Sequence, residues 1–150
     1  MHYKFLLCVV YRPPKVVFFS DLEDVLFRYT PLYSEVVILG DFNCDFNGNS
    51  PDRIYLNNLF SSFSLTVLPL NSSLFTSTSN SWIDLIIVRG PENDRVSSFG
   101  QFPVPFLSAH DLIYVYLNIS TPEFAPRQIR YHDLKNLKGE AFLIFIISLL

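Results

Sequence analysis

Cysteine is scarce in this chain: Cys8 and Cys44 are the only two among 150 residues. Two thiols so placed make no disulfide framework and lack metal-ligand spacing, which fits reducing surroundings better than secretion. Positive charge is scarce as well. Eleven Lys and Arg stand against fourteen Asp and Glu, a formal net charge of −3, so no basic surplus advertises nucleic-acid binding. An acidic balance still admits a phosphate partner where carboxylates hold a cation that draws the phosphate in. Long apolar runs are missing too. Ala141–Leu150 (AFLIFIISLL) is strongly apolar but far short of the roughly 20 residues that span a bilayer. Phe5–Val10 is short for the apolar part of a signal peptide, and Tyr11-Arg-Pro-Pro14 follows where small residues should mark cleavage. No membrane association is expected, and an intracellular location, nuclear or cytoplasmic, is. The chain has no internal repeat.

What is plentiful is core material. Hydrophobic residues make up 49% of the chain and include fifteen Phe, enough for one compact core and too many for a disordered chain. Lys4–Tyr11 (KFLLCVVY) reads as a buried strand, closed by Pro13 and Pro14. Ser20-Asp-Leu-Glu23 has the capping-box pattern, and Leu22, Val25, Leu26 and Tyr29 follow at helical spacing, so a helix is expected over Ser20–Tyr29. Glu35–Leu39 is a second buried strand. Ser50 then caps a second helix with Pro51 at its first position, and Leu56, Leu59, Phe60 and Phe63 as its buried stripe. Leu65–Leu70 is a short strand, and Asn71–Asn80 a Ser/Thr/Asn-rich loop. Trp82–Val88 and Leu112–Ile119 are strong strands, with a weaker one within Val96–Phe106. The expected organisation is one α/β domain over residues 1–120, followed by a linker and helical tail over 121–150. Early alternation of strand and helix, then strands alone, suits sheets buried by helices outside and by each other inside.

Four polar residues stand out against this background. Asp84 sits inside the apolar strand Trp82–Val88, where an unpaired carboxylate is costly and calls for a partner or an opening to solvent. His110, between an apolar loop and a strong strand, offers that partner, and a carboxylate on one ring nitrogen would fix its tautomer. Taken singly, each also reads as structural. Asp41 and Asn43 close the stretch Val37–Asp45 (VILGDFNCD), two apart on an extended segment and so pointing the same way. Together they could orient a water, help hold a divalent cation and donate to a phosphate; the same residue types serve a plain Gly-Asp-Phe-Asn turn equally well.

Tyr11-Arg-Pro-Pro14, Ile38-Leu-Gly-Asp-Phe-Asn43, Ser81-Trp-Ile-Asp84-Leu-Ile and Ser108-Ala-His110 occur in the order and approximate spacing of the endonuclease/exonuclease/phosphatase superfamily. The chain most resembles the apurinic-type endonuclease domain of non-LTR retrotransposons, over roughly residues 4–120. The resemblance implies a partial four-layer α/β/β/α sandwich that hydrolyses phosphodiesters in DNA with Mg²⁺ or Mn²⁺. Tyr11 then matches a tyrosine that contacts the scissile phosphate, and Asp41 the aspartate that orients the attacking water. Asn43 matches the phosphate-binding companion of that aspartate. Asp84 matches the acid paired with the active-site histidine, and His110 that histidine, the two expected to meet across neighbouring strands. Asp41 and Asn43 are the residues nearest to a metal by this resemblance.

The pattern is broken in two places. Ala109 stands where the family usually has an aspartate, and Asp111 should point elsewhere. The family's early asparagine and its principal metal-ligand glutamate have no counterpart in this chain, so half of the sandwich and one sheet's covering partner are expected to be missing. Weak or lost activity follows, along with self-association or a partner chain at the exposed sheet. A non-catalytic interaction module or gene fragment, and a phosphatase of the same superfamily, are the alternatives.

Overall fold

The computed structural model describes residues 4–14, 19–90 and 95–118, together with the backbone of residues 143–149. The linker expected over residues 121–130 lies outside the described residues. In chain order the elements are β1 (Phe5–Tyr11), α1 (Ser20–Tyr29), a 3₁₀ turn (Thr30–Leu32), β2 (Glu35–Asp41), α2 (Pro51–Ser62), β3 (Leu65–Val67), β4 (Leu74–Phe75), β5 (Asn80–Ser81), β6 (Asp84–Arg89), β7 (Val96–Phe102), β8 (Leu112–Leu117) and β9 (Leu143–Leu149). The main sheet runs β3-β6-β2-β1-β9, while β4-β5 and β7-β8 form separate two-stranded sheets. β1 and β2 are parallel, joined by α1, and β6 lies antiparallel against β2.

Side-chain alternation divides the main sheet into two faces. Leu6, Cys8 and Val10 of β1, Val36 and Ile38 of β2, and Leu85 and Ile87 of β6 pack with Leu22 and Leu26 of α1 and Leu56, Leu59 and Phe60 of α2. The opposite parity, Phe5, Val37, Ile86 and Val88 with Leu7 and Leu39, meets Val96, Phe99, Ile113, Val115 and Leu117 of the β7-β8 hairpin. Among the described residues the layers are therefore helices, main sheet and a narrow second sheet, the expected sandwich in part. Each fully buried Leu, Ile or Phe on the helix side contributes roughly 1.5–3 kcal/mol. Burial also raises the Cys8 thiol to about 12, which leaves it inert, and both cysteines are free.

Helix α2 starts as its sequence requires: Ser50 accepts the Arg53 backbone N–H through its side chain and Pro51 takes the first turn. Helix α1 departs from the capping-box expectation. Phe19 is its N-cap residue and no side chain caps it. Phe19 is buried and stacks on Tyr55 at 5.2 Å, so packing sets where this helix begins, and Asp21 and Glu23 face its N-terminal N–H groups.

The chain's last apolar run also departs from expectation. Leu143–Leu149 is a strand, not a helix, paired antiparallel to β1 from Phe5↔Leu149 to Tyr11↔Leu143. An unbroken apolar run has no period to separate helix from strand, and the edge of β1 offers a row of backbone groups to pair with.

Gly40 is required where β2 passes β1. Its φ is +151°, and a Cβ there would collide with the backbone of Val10. Gly40→Ala should lower stability by about 3 kcal/mol or more, whereas Gly48→Ala, with room for a methyl, should stay within about 0.5 kcal/mol. Urea denaturation of both variants checks the contrast; equal losses would show that the close approach does not matter.

Candidate active site

Strand register gathers the polar residues. Tyr11 lies opposite Asp41 across the parallel β1-β2 pair, and Asp41 opposite Asp84 across the antiparallel β2-β6 pair. The three form one row across three strands, on the parity that faces the hairpin sheet. At this end of the sheet the apolar ladder gives way to an opening: Val9 and Tyr11 are 38% and 43% exposed, while Asp84 is 9% exposed.

His110 arrives from the other side. It sits in the loop entering β8, held by an isolated bridge to Leu74 and by its own N–H donating to the Ser108 hydroxyl at 3.0 Å. Its Nδ1 lies 2.9 Å from Asp84 Oδ2. The expectation that these two meet across neighbouring strands is thus corrected: His110 belongs to the loop leading into the second sheet, and the pair bridges the two layers. As a carboxylate oxygen only accepts, Nδ1 carries the proton and Nε2 is left for a ligand.

Ser73 was not singled out from the sequence. It is fully buried, donates to Asp84 Oδ2 at 2.6 Å, and accepts the Asp84 backbone N–H at 3.0 Å. Asp84 Oδ2 therefore accepts from a hydroxyl and an imidazole at once. The loop Asn71–Asn80 is rich in hydroxyls, and only the backbone pairing of Ser73 with Ser81 and Asp111 shows which one turns inward.

Asp41 ends β2 and accepts the Asn43 backbone N–H on Oδ1 at 2.8 Å. Asn43 adopts the left-handed region at φ 43°. Its side-chain Nδ2 donates to the Arg12 carbonyl at 2.7 Å and to Asp41 Oδ2 at 3.2 Å. Asn43 thus secures the Asp41 turn. Asp111 accepts from Gln101 at 2.9 Å and stays outside the cluster, while Ala109 uses its carbonyl to accept the Phe75 N–H.

Asp41, Asp84 and His110 each place a ligand atom within 4.8 Å of the others. Oxygens on opposite sides of one Mg²⁺ stand about 4.2 Å apart, so this trio is close to the span of a single ion. Two carboxylates and an imidazole suit Mg²⁺ or Mn²⁺ with water completing the shell, Mn²⁺ being more tolerant of nitrogen. Asp41 is partly buried beside Asp84. Burial, added to by the nearby Asp84 charge, raises its pKa above 3.8, against the lowering pull of the Asn43 N–H and His110.

The partial α/β sandwich that carries this cluster has the fold of the endonuclease/exonuclease/phosphatase class. The chain belongs to the family described as endonuclease-reverse transcriptase, whose model matches residues 5–128. Among solved structures it is similar to the endonuclease domain of TRAS1, a telomere-specific non-LTR retrotransposon. The two share 11% identity and a TM-score of 0.59, over 73% of this chain and 56% of that one. This chain therefore spans little more than half of that domain, and the likeness is one of fold. Comparison with curated proteins returns no significant match.

Two outcomes follow. Ser73→Ala should cost about 1–3 kcal/mol in urea denaturation, because it strips the buried Asp84 carboxylate of one of its two side-chain donors and the Asp84 amide of its acceptor. A neutral result would mean that water replaces the hydroxyl. Asp41 holds its proton more tightly folded than unfolded, so its charge costs stability as pH rises above 3.8. In EDTA, the melting temperature of Asp41→Asn minus that of the parent should therefore grow from pH 4 to pH 7; a flat or falling difference contradicts the assignment.

Proposed function

We propose that this chain carries the catalytic end of a metal-assisted phosphodiester hydrolase acting on DNA, of the retrotransposon endonuclease type, and that its activity alone is weak. The observation that supports this reading best is the convergence of Asp41, Asp84 and His110 from separate elements onto one point. A divalent cation, held by Asp41 and Asp84 with His110 beside it, would neutralise phosphate charge and stabilise the leaving oxygen.

The chain's own groups divide the remaining work. Asp41, partly buried and with its pKa raised, is suited to accept a proton from an attacking water. His110, held through Nδ1 by Asp84, presents Nε2 to a phosphoryl oxygen in a fixed orientation. Tyr11 is half exposed at the end of the row, where its phenol can donate to the same phosphate. Asn43 keeps Asp41 in place through its backbone N–H and side-chain amide and is the turn's candidate amide donor to the phosphate.

Weakness follows from the ligand count. Two carboxylates in the described cluster, with Ala109 contributing no third, give a cation few charged ligands. A second reading, an interaction module, is favoured by the narrow second sheet, whose Leu112 and Tyr116 are 43% and 63% exposed. Self-association through that sheet would show in light scattering as a defined dimer indifferent to metal.

Supercoiled DNA incubated with stoichiometric protein tests the main reading. Slow nicking is expected with Mn²⁺, less with Mg²⁺, and none with EDTA, with a loss of about 100-fold or more in Asp41→Ala and His110→Ala. No nicking with either ion would remove the hydrolase reading for this chain; rapid nicking would remove the claim that it is weak. Faster release of phosphate from a small monoester than nicking of DNA would point to the phosphatase branch instead.

A further inference from the structure

We infer that Arg12 is a positioning residue for the candidate cation site, fixing the Asp41–Asn43 turn that presents the Asp41 carboxylate. The consequence for metal rests on the reading above; the geometry does not.

Arg12 follows directly on β1 and is 3% exposed. It touches each residue of the turn by a different group. Its backbone N–H donates to the Asp41 carbonyl at 2.8 Å. Its side-chain Nη1 donates to the Phe42 carbonyl at 3.2 Å, and its own carbonyl accepts from Asn43 Nδ2 at 2.7 Å. The other arm of the guanidinium donates from Nη2 to Asp52 Oδ2 at 2.6 Å, and the guanidinium carbon lies 4.3 Å from the centre of the Phe19 ring.

The residue is a strut in two parts: its backbone holds Asp41 and Asn43, and its guanidinium ties the Phe42 carbonyl to Asp52. Asp52 belongs to the first turn of α2, and Phe19 precedes α1, so both helices reach the turn through Arg12. A buried guanidinium held in place by Asp52 and Phe19 presents a fixed donor to the Phe42 carbonyl, so movement of the turn would cost that buried hydrogen bond. Asn43 sits in the left-handed region, which asparagine tolerates, and its side chain bonds locally to Arg12 and Asp41. Lysine cannot replace this arrangement, because a single ammonium does not reproduce a planar fork that serves a carbonyl and a carboxylate at once.

Three variants test the inference: Arg12→Lys, Arg12→Met and Asp52→Asn. Each is examined for fold by its amide fingerprint, for the Asn43 side-chain amide by hydrogen exchange, and for Mn²⁺ affinity by the spin resonance of free ion. In folded Arg12→Lys the turn loses the guanidinium bond to the Phe42 carbonyl. The Asn43 amide, still bonded to the backbone carbonyl of residue 12, should then exchange faster, and Mn²⁺ should bind roughly 10–100-fold more weakly, with a smaller change in the same direction for Asp52→Asn. A merely structural arginine would lower the melting temperature and leave both readouts of the folded protein untouched. Unchanged Mn²⁺ affinity and unchanged Asn43 exchange in folded Arg12→Lys and Asp52→Asn overturn the inference. Should Arg12→Met fail to fold, the other two decide. Should the parent bind no Mn²⁺, the cation reading falls, and the Asn43 amide alone decides the role of Arg12.

Discussion

Asp84 places a carboxylate at the mouth of a strand whose next four residues, Leu85 to Val88, are apolar and buried, and the cost of that placement organises the site around it. A carboxylate so nearly cut off from water has to be met by donors. Ser73 reaches it from the loop ahead of β4 and His110 from the loop ahead of β8, so both loops converge on one oxygen. The donors hold more than the acid. They fix the ring of His110, and through the backbone of Ser73 they tie the β4-β5 hairpin to the second sheet.

Register supplies what hydrogen bonds do not. The parallel pairing of β1 with β2 and the antiparallel pairing of β2 with β6 put Tyr11, Asp41 and Asp84 in one row. A slip of one residue in either pair would send that strand's polar group to the helix side. Gly40 lets β2 pass close to Val10 just before the row, and the apolar residues behind Asp41 and Asp84 anchor both strands on either face. The working end pairs half-exposed Tyr11 with a partly buried Asp41 and an imidazole held through Nδ1.

Much of this was legible in the residues, for physical reasons that differ from place to place. The strand ending in Asp41 shows itself as a short apolar run stopped by glycine, and α2 as a Ser-Pro start with a helical stripe. Asp84 was conspicuous because its neighbours are apolar, and that cost pointed to a partner. The partner's route was not legible: pairing across layers depends on how the second sheet folds over the first. Ser73 was hidden among equivalent hydroxyls, and the capping box at Ser20 was overridden by the buried ring of Phe19. The helical tail expected within residues 121–150 gives way at Leu143–Leu149 to a strand, because a uniform apolar run carries no period and the edge of β1 offers it a partner. The four blocks Tyr11–Pro14, Ile38–Asn43, Ser81–Ile86 and Ser108–His110 carried the family where periodicity could not.

The central proposal is that Asp41 and Asp84, with His110 beside them, form one cation site at the end of the sandwich. Paramagnetic broadening by substoichiometric Mn²⁺ in the amide spectrum tests it most directly, because the effect falls steeply with distance from the ion. Broadening centred on residues 41, 84 and 110, and reversed by EDTA, is the predicted result. Broadening spread over the exposed acids of α1, with those three resonances sharp, would contradict the account.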